Sequence, residues 1–274
     1  MSIGARTGTA VPLAAVCLAA VYFLPSVLFA GGLGVVVMLA AWEWAALAGI
    51  SVSPARQMYV VALVFAGAAL ICLTDAAQAT QVAAGAAVIW VGALLLVLAA
   101  ELGRFNLHRW AGLRAVSGAL VLLPAWLALS ALHAGPNGSI QVLFLLVLIW
   151  CADSAAYFAG RVWGRHRLCS QVSPGKSWEG AWAGVCAGLL LGILFAVAWK
   201  LPGPTMLRFA LLAALTVVAS IVGDLFESML KRSANVKDSG TLLPGHGGIL
   251  DRIDSLTAAA PFYLSGLQFS GVFS

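Results

Sequence analysis

Residues 206–229, MLRFALLAALTVVASIVGDLFESM, are apolar over most of their length and then turn ionic at Asp224 and Glu227. A helix that crosses a bilayer needs ~20 mostly apolar residues, and this stretch supplies them. An ionisable group at the end of such a run is costly to hold at membrane depth and marks a functional position by default. Eight further runs of this kind bring the predicted spans to 10–25, 28–48, 57–74, 82–101, 113–133, 139–160, 178–199, 206–229 and 255–272. The first is short, and Ser, Gln and Pro interrupt the last, so eight spans is the alternative count. The whole chain agrees with this reading: 62% of its 274 residues are hydrophobic, 9% are charged and the mean hydropathy is +1.00. An ordinary soluble domain carries about 25% charged residues. A soluble enzyme, a secreted disulfide scaffold and a disordered chain are therefore excluded. Five cysteines, at 17, 72, 151, 169 and 186, form no C-x-x-C pair and read as buried packing residues rather than disulfides or zinc ligands.

The expected fold is an all-α polytopic membrane protein of about nine helices, a single domain over 1–274, with a polar active-site cavity on the cytoplasmic side. With the N-terminus inside, 13 of the 15 basic residues fall on cytoplasmic loops and only Lys200 and Arg208 lie outside. That asymmetry follows the positive-inside rule. The first run is read as an uncleaved helix rather than a signal peptide. The expected location is the cell (inner or plasma) membrane. Residues 151–182 and 224–254 hold eight of the 15 basic and seven of the ten acidic residues. Chemistry is expected there, on helices and loops of 139–274, with 1–138 mainly scaffold.

In residues 224–254, Asp224, Glu227 and Lys231 fall at i, i+3 and i+7, on one face of a helix end. Asp251 and Asp254 stand three apart at the start of the next helix. Two helix ends can gather these carboxylates around a hard cation such as Mg²⁺, with oxygen ligands and retained waters. Lys231, Arg232, Lys237 and Arg252 suit phosphate oxygens. The turn Pro244-Gly245-His246-Gly247-Gly248 offers backbone N–H groups to an anion. His246 could serve as acid/base, phosphate ligand or turn residue, and Asp238 and Asp254 could instead be capping groups. Charges at helix ends are most often solvated caps. Together, however, this set describes a metal-dependent phosphoryl or nucleotidyl transfer site.

The run Ser228-x-Leu230-Lys231-Arg232-x4-Lys237-Asp238-x-Gly240-x2-Leu243-Pro244-x-His246-Gly247-Gly248-Ile249-x-Asp251-Arg252-Ile253-Asp254 resembles the signature of the phosphatidate cytidylyltransferases, or CDP-diacylglycerol synthases. The resemblance implies that CTP and phosphatidate give CDP-diacylglycerol and pyrophosphate, with Mg²⁺ required and a second ion, divalent or K⁺, left open. It implies metal binding at the positions of Asp224 and Asp251, beside Glu227. It also implies membrane lipids as surroundings and a homodimer; no nucleic-acid partner is expected.

Asp153-Ser154 and Ser173-Pro174-Gly175-Lys176-Ser177-Trp178-Glu179-Gly180 resemble a second stretch of the same family, which places Lys176 and nearby Ser173 and Asp153 in contact with substrate. On residues alone, Asp153 has Tyr157 and Arg161 on its helix face, beside a cationic loop of Arg161, Arg165, Arg167 and Lys176. Ser173–Ser177 is not a P-loop, because position 170 is Ser where that motif needs Gly.

Elsewhere, Glu43 is expected to snorkel or pair with Arg56, and Glu101 with Arg104 to be interfacial charge. His133 and Asp75 are placed in outer loops without chemistry. Gly180, Gly184 and Gly188 suggest close helix packing. Two rival functions are weaker. A CDP-alcohol phosphotransferase would need an Asp-Gly pair, which the chain lacks. An ion-coupled transporter using Asp153 and Asp224 would not place both acids beside loops on one side, and no internal repeat supports it.

Overall fold

The computed structural model describes residues 14–242 and 247–272. Among them run α1 (Ala14–Phe23), α2 (Ser26–Leu47), α3 (Ser53–Leu73), α4 (Ala76–Glu101), α5 (Ala111–Ala134), α6 (Gly138–Trp163), α7 (Trp178–Ala198), α8 (Gly203–Ser233) and α9 (Leu250–Ser270). The expected all-α, multi-pass membrane protein is borne out: α2 to α8 are each long and apolar enough to cross a bilayer. Between α6 and α7 the chain adds a small antiparallel hairpin, β1 (Arg167–Cys169) and β2 (Ser173–Ser177), pairing Arg167 with Ser177 and Cys169 with Ser173.

Helix ends overrun the apolar runs where charged residues continue the helix. The 31 residues of α8 span roughly 46 Å at 1.5 Å per residue, against a hydrocarbon core of ~30 Å. Its charged last turns therefore project beyond the apolar slab. The weak hydropathy of α9 has a different cause. This helix runs inside the bundle against α8, α4 and α5, with Ala258, Ala259, Ala260 and Tyr263 fully buried. Shielded from lipid, it tolerates Thr257, Ser265 and Ser270, whose hydroxyls donate to carbonyls of its own turns. By contrast α7 buries chiefly the stripe Gly180, Gly184, Gly188, Gly192 and Ala196. The first three were expected to mediate close packing, and a Cβ at Gly180 would stand 2.7 Å from the Ala156 carbonyl of α6.

Below the charged end lies an apolar layer in which Phe226 of α8 stacks near Trp44 of α2 and meets Trp90 of α4 edge-on at 5.7 Å between centroids. It gives the ionic residues above it a floor closed to water. Asp75 caps α4 through a reciprocal box with Gln78. His133 corrects its expected loop placement: it lies buried in the last turn of α5, and its ring nitrogens meet the Val21 carbonyl at 2.8 Å and Ser26 Oγ at 3.0 Å. All five cysteines are free, as expected, yet only Cys169 is buried, while Cys72, Cys151 and Cys186 lie on the outside of the bundle.

Candidate active site

The ionic residues of 224–254 converge where the charged ends of α8 and α9 meet. Lys231 Nζ donates to Glu227 Oε2 at 3.0 Å, one helical turn away on α8, and to Asp251 Oδ1 at 2.7 Å, across on α9. The side chains of Lys231, Glu227 and Asp251 are only 13%, 3% and 10% exposed, so the triad is largely shut off from water. Asp251 presents its two oxygens differently. Oδ2 accepts from the Ser239 amide at 2.9 Å and the Gly248 amide at 2.8 Å, and lies 3.0 Å from Ser239 Oγ. Oδ1 is left to face the ammonium. Such outer hydrogen bonds fix the orientation of a ligand carboxylate.

A second ion pair joins the two loops. Lys176 Nζ of β2 lies 2.5 Å from Asp224 Oδ2 of α8, both about a quarter exposed. Asp153 of α6 lies within electrostatic reach of both Asp224 and Lys176, and Asp254 of α9 within reach of Asp224, Glu227 and Lys231. Four segments distant in sequence thus bring five carboxylates and two ammonium groups to one end of the bundle. The helices can close this far because residue 223 is glycine. A Cβ there would stand 2.6 Å from the Asp254 carbonyl oxygen.

The remaining predicted residues are spread around this centre. Ser173 begins β2, and Arg232, Lys237, Asp238 and Arg252 lie exposed around the α8–α9 connection. Gly247 takes a left-handed φ of +81°. The Gly248 amide, expected to face an anion, instead donates to Asp251. His246 lies outside the described residues.

The chain matches the cytidylyltransferase family over residues 4–270. It is similar to the phosphatidate cytidylyltransferase of Pseudomonas aeruginosa, 44% identical over 268 residues that cover 97% of each protein. The phosphatidate cytidylyltransferase of Haemophilus influenzae is 35% identical over 94% of this chain and 96% of the relative. That of Bacillus subtilis is 42% identical over a shorter 125 residues, 46% of each chain. This chain belongs to the cytidylyltransferase family.

Two residues that hold this ionic cluster together lie far from the 228–254 stretch. Glu43 does not snorkel, and it lies within electrostatic reach of Arg56 without forming a salt bridge to it among the described residues. Its carboxylate is buried and accepts from Ser239 Oγ at 3.0 Å, the Ile249 amide at 3.1 Å and the Leu250 amide at 2.8 Å. Arg56 instead donates to the Trp42 carbonyl at 2.6 and 2.9 Å and lies over the Trp42 ring. Glu101 is likewise more than interfacial charge: it accepts from the amides of Ser170, Gln171 and Val172 and from the Ser170 hydroxyl. It thereby fixes the tip of the β1–β2 hairpin. The sequence signal for both was an acid placed against an apolar helix.

The residues present fit a hard divalent cation. Among the described residues the anionic groups gathered here are all carboxylates, the oxygen chemistry that suits Mg²⁺. Glu227 Oε1 is buried and, among the described residues, accepts no hydrogen bond. Lys231 already occupies a position where one cation is shared by carboxylates of two helices. Among the described residues no three acids, histidines or cysteines are gathered tightly enough to form a complete cage. Mg²⁺ is ordinarily bound by one or two carboxylates together with substrate phosphates and water, so a complete cage is not required.

Proposed function

We propose that the chain transfers CMP from CTP to phosphatidate, giving CDP-diacylglycerol and pyrophosphate. Support comes from the extended likeness to phosphatidate cytidylyltransferases, 44% identity over 97% of the chain in one case. The observation that carries the reading onto this chain's residues is Lys231, clamped between Glu227 and Asp251 at the meeting of α8 and α9. A phosphate oxygen of phosphatidate forms a bond to the α-phosphorus of CTP, and the bond from that phosphorus to the bridging oxygen of the β-phosphate breaks. Pyrophosphate departs with the electron pair. A phosphate monoester has its second pKa near 6, so at neutral pH the attacking group is already a dianion and needs no general base.

Five carboxylates beside two lysines would repel a triphosphate. Mg²⁺ held by one or two of the carboxylates of Asp224, Glu227 and Asp251, together with substrate phosphates and water, would neutralise that charge and the charge developing on the phosphate oxygens. Lys176 and Lys231, now paired with those acids, are placed to turn to phosphate oxygens once the carboxylates are otherwise neutralised. Arg232, Lys237 and Arg252 surround the entrance with positive charge. Phosphatidate keeps its acyl chains among the helices while its headgroup reaches the ionic end. The reading carries an orientation with it: the charged loops face the cytoplasm, where CTP is present, and the chain resides in the cell membrane, as a homodimer. Pyrophosphate release in detergent micelles tests the reaction. Release that requires both CTP and phosphatidate is expected; release with neither dependence, or none with any divalent cation, would contradict it.

A further inference from the structure

Glu43 sits on α2, 196 residues from Ser239 and 207 from Leu250, yet its carboxylate is the point at which Ser239, within the α8–α9 connection, and the start of α9 are fastened together. Each oxygen is used: Oε1 accepts from the Ile249 amide, and Oε2 from the Leu250 amide and the Ser239 hydroxyl. Ile249 and Leu250 open α9, which has no capping side chain of its own. A buried carboxylate from another helix satisfies these first amides and complements the positive end of the helix dipole. The packing around it is tight. A Cβ at Gly240 or at Gly248 would collide with the Glu43 carboxylate.

The consequence reaches the site through Ser239. Its hydroxyl lies 3.0 Å from Glu43 Oε2 and 3.0 Å from Asp251 Oδ2, while its amide also donates to Asp251. A continuous chain of contacts therefore runs from Glu43 through Ser239 and Asp251 to Lys231. We propose that Glu43 is a positioning residue of the transferase: by holding Ser239 and the 248–250 turn, it fixes Asp251 so that Oδ1 faces the reacting phosphates and their cation. This rests on the function proposed above. Glu43 touches no substrate in this account and acts only through the loop.

The charge and the two-oxygen acceptor both matter. A glutamine at this position offers one acceptor oxygen and turns an NH₂ toward either the Ile249 amide or the Leu250 amide and Ser239. An aspartate keeps both oxygens but falls short by one methylene.

The test uses the full-length protein in detergent, comparing the parent with Glu43→Gln, Glu43→Asp and, as a control acid at the opposite end of the bundle, Asp75→Asn. Hydrogen–deuterium exchange over residues 239–250 is read beside kcat for CDP-diacylglycerol formation. Loss of this support is expected to raise exchange at Ile249 and Leu250 about tenfold. It should also lower kcat about 10- to 100-fold, the usual cost of removing a group that orients a ligand residue. The 167–177 hairpin and the Asp75→Asn variant should stay at parent values. Glu43→Asp is expected to fall between parent and Glu43→Gln. The proposal is overturned if the Glu43 variants keep parental kcat, or lose it with exchange at 249–250 unchanged. It is also overturned if they only reduce the folded fraction while its kcat is intact. A parent without activity would defeat the functional reading alone, and exchange would still decide whether Glu43 holds the loop.

Discussion

Lys231 and Asp251 stand 20 residues apart in the chain, and the ammonium of one meets a carboxylate oxygen of the other at 2.7 Å. The contact joins the last turns of α8 to the first turn of α9, and Glu227 completes it from below. It is at once a structural tie between two helices and the cationic centre of an acidic site.

Removing the cation should therefore be costly. Deleting one partner of a buried ion pair leaves an uncompensated charge, at about 3–5 kcal/mol. Lys231→Met is expected to lower the unfolding temperature in detergent markedly and to abolish activity. Lys231→Arg should recover most of the stability. A Lys231→Met protein as stable as the parent would contradict the burial described for the triad.

The pair between Lys176 and Asp224 should behave differently. Both side chains are about a quarter exposed, so water screens the pair in part, and its loss costs about 1 kcal/mol, less than that of the buried triad. Lys176→Ala is expected to melt close to the parent, yet to need several-fold more CTP for half-maximal rate. Steady-state kinetics with CTP as the varied substrate would read this directly. An unchanged KM for CTP would separate Lys176 from the nucleotide.

Glu101 gathers the amides of Ser170, Gln171 and Val172 on one carboxylate. Glu101→Ala should free the tip of the hairpin, raising hydrogen exchange at these three residues while leaving Ser239, Ile249 and Leu250 at parent values. Since β2 carries Lys176, a loosened tip should also raise the KM for CTP. Protection that persists at 170–172 would show that strand pairing alone orders the hairpin.

Gly223 lets α8 and α9 meet, and a Cβ there would stand 2.6 Å from a backbone oxygen that cannot rotate aside. Gly223→Ala is expected to cost about 1–3 kcal/mol, in the range of an overpacked core. A thermal melt in detergent measures it, and Gly223→Val should be worse. Activity should fall with either, because Asp254 lies just across the contact.

Much of this was legible because the same local rules that build α8 also place its charges. The apolar run predicts the helix, and the four-residue spacing of Glu227 and Lys231 predicts that they share a face. The capping of α4 by Asp75 is equally local. What the sequence could not convey depends on distance. The reach of Glu43 to Leu250 crosses 207 residues, and an intramembrane acid states that a partner is needed without saying which. The hairpin was hidden because β1 has only three residues and the five of β2, Ser-Pro-Gly-Lys-Ser, carry no alternating apolar pattern. The ambiguity of α9 also has a physical reason: hydropathy reports exposure to lipid, and this helix is surrounded by other helices. Likewise Lys176 and Asp224 each read as ionic, but their pairing required α6, α7 and α8 to pack along glycines.

If the acids of α8 and α9 form the site of cytidylyl transfer, their loss must stop the reaction in a folded protein. The direct measurement is CDP-diacylglycerol formation by purified protein given CTP, phosphatidate and Mg²⁺, beside Asp224→Asn and Asp251→Asn proteins shown to be folded. The parent is expected to be active and each variant to lose at least about a hundredfold, the scale on which removal of an electrostatic group in a transfer site is felt. Parental rates in both folded variants would contradict this placement of the site.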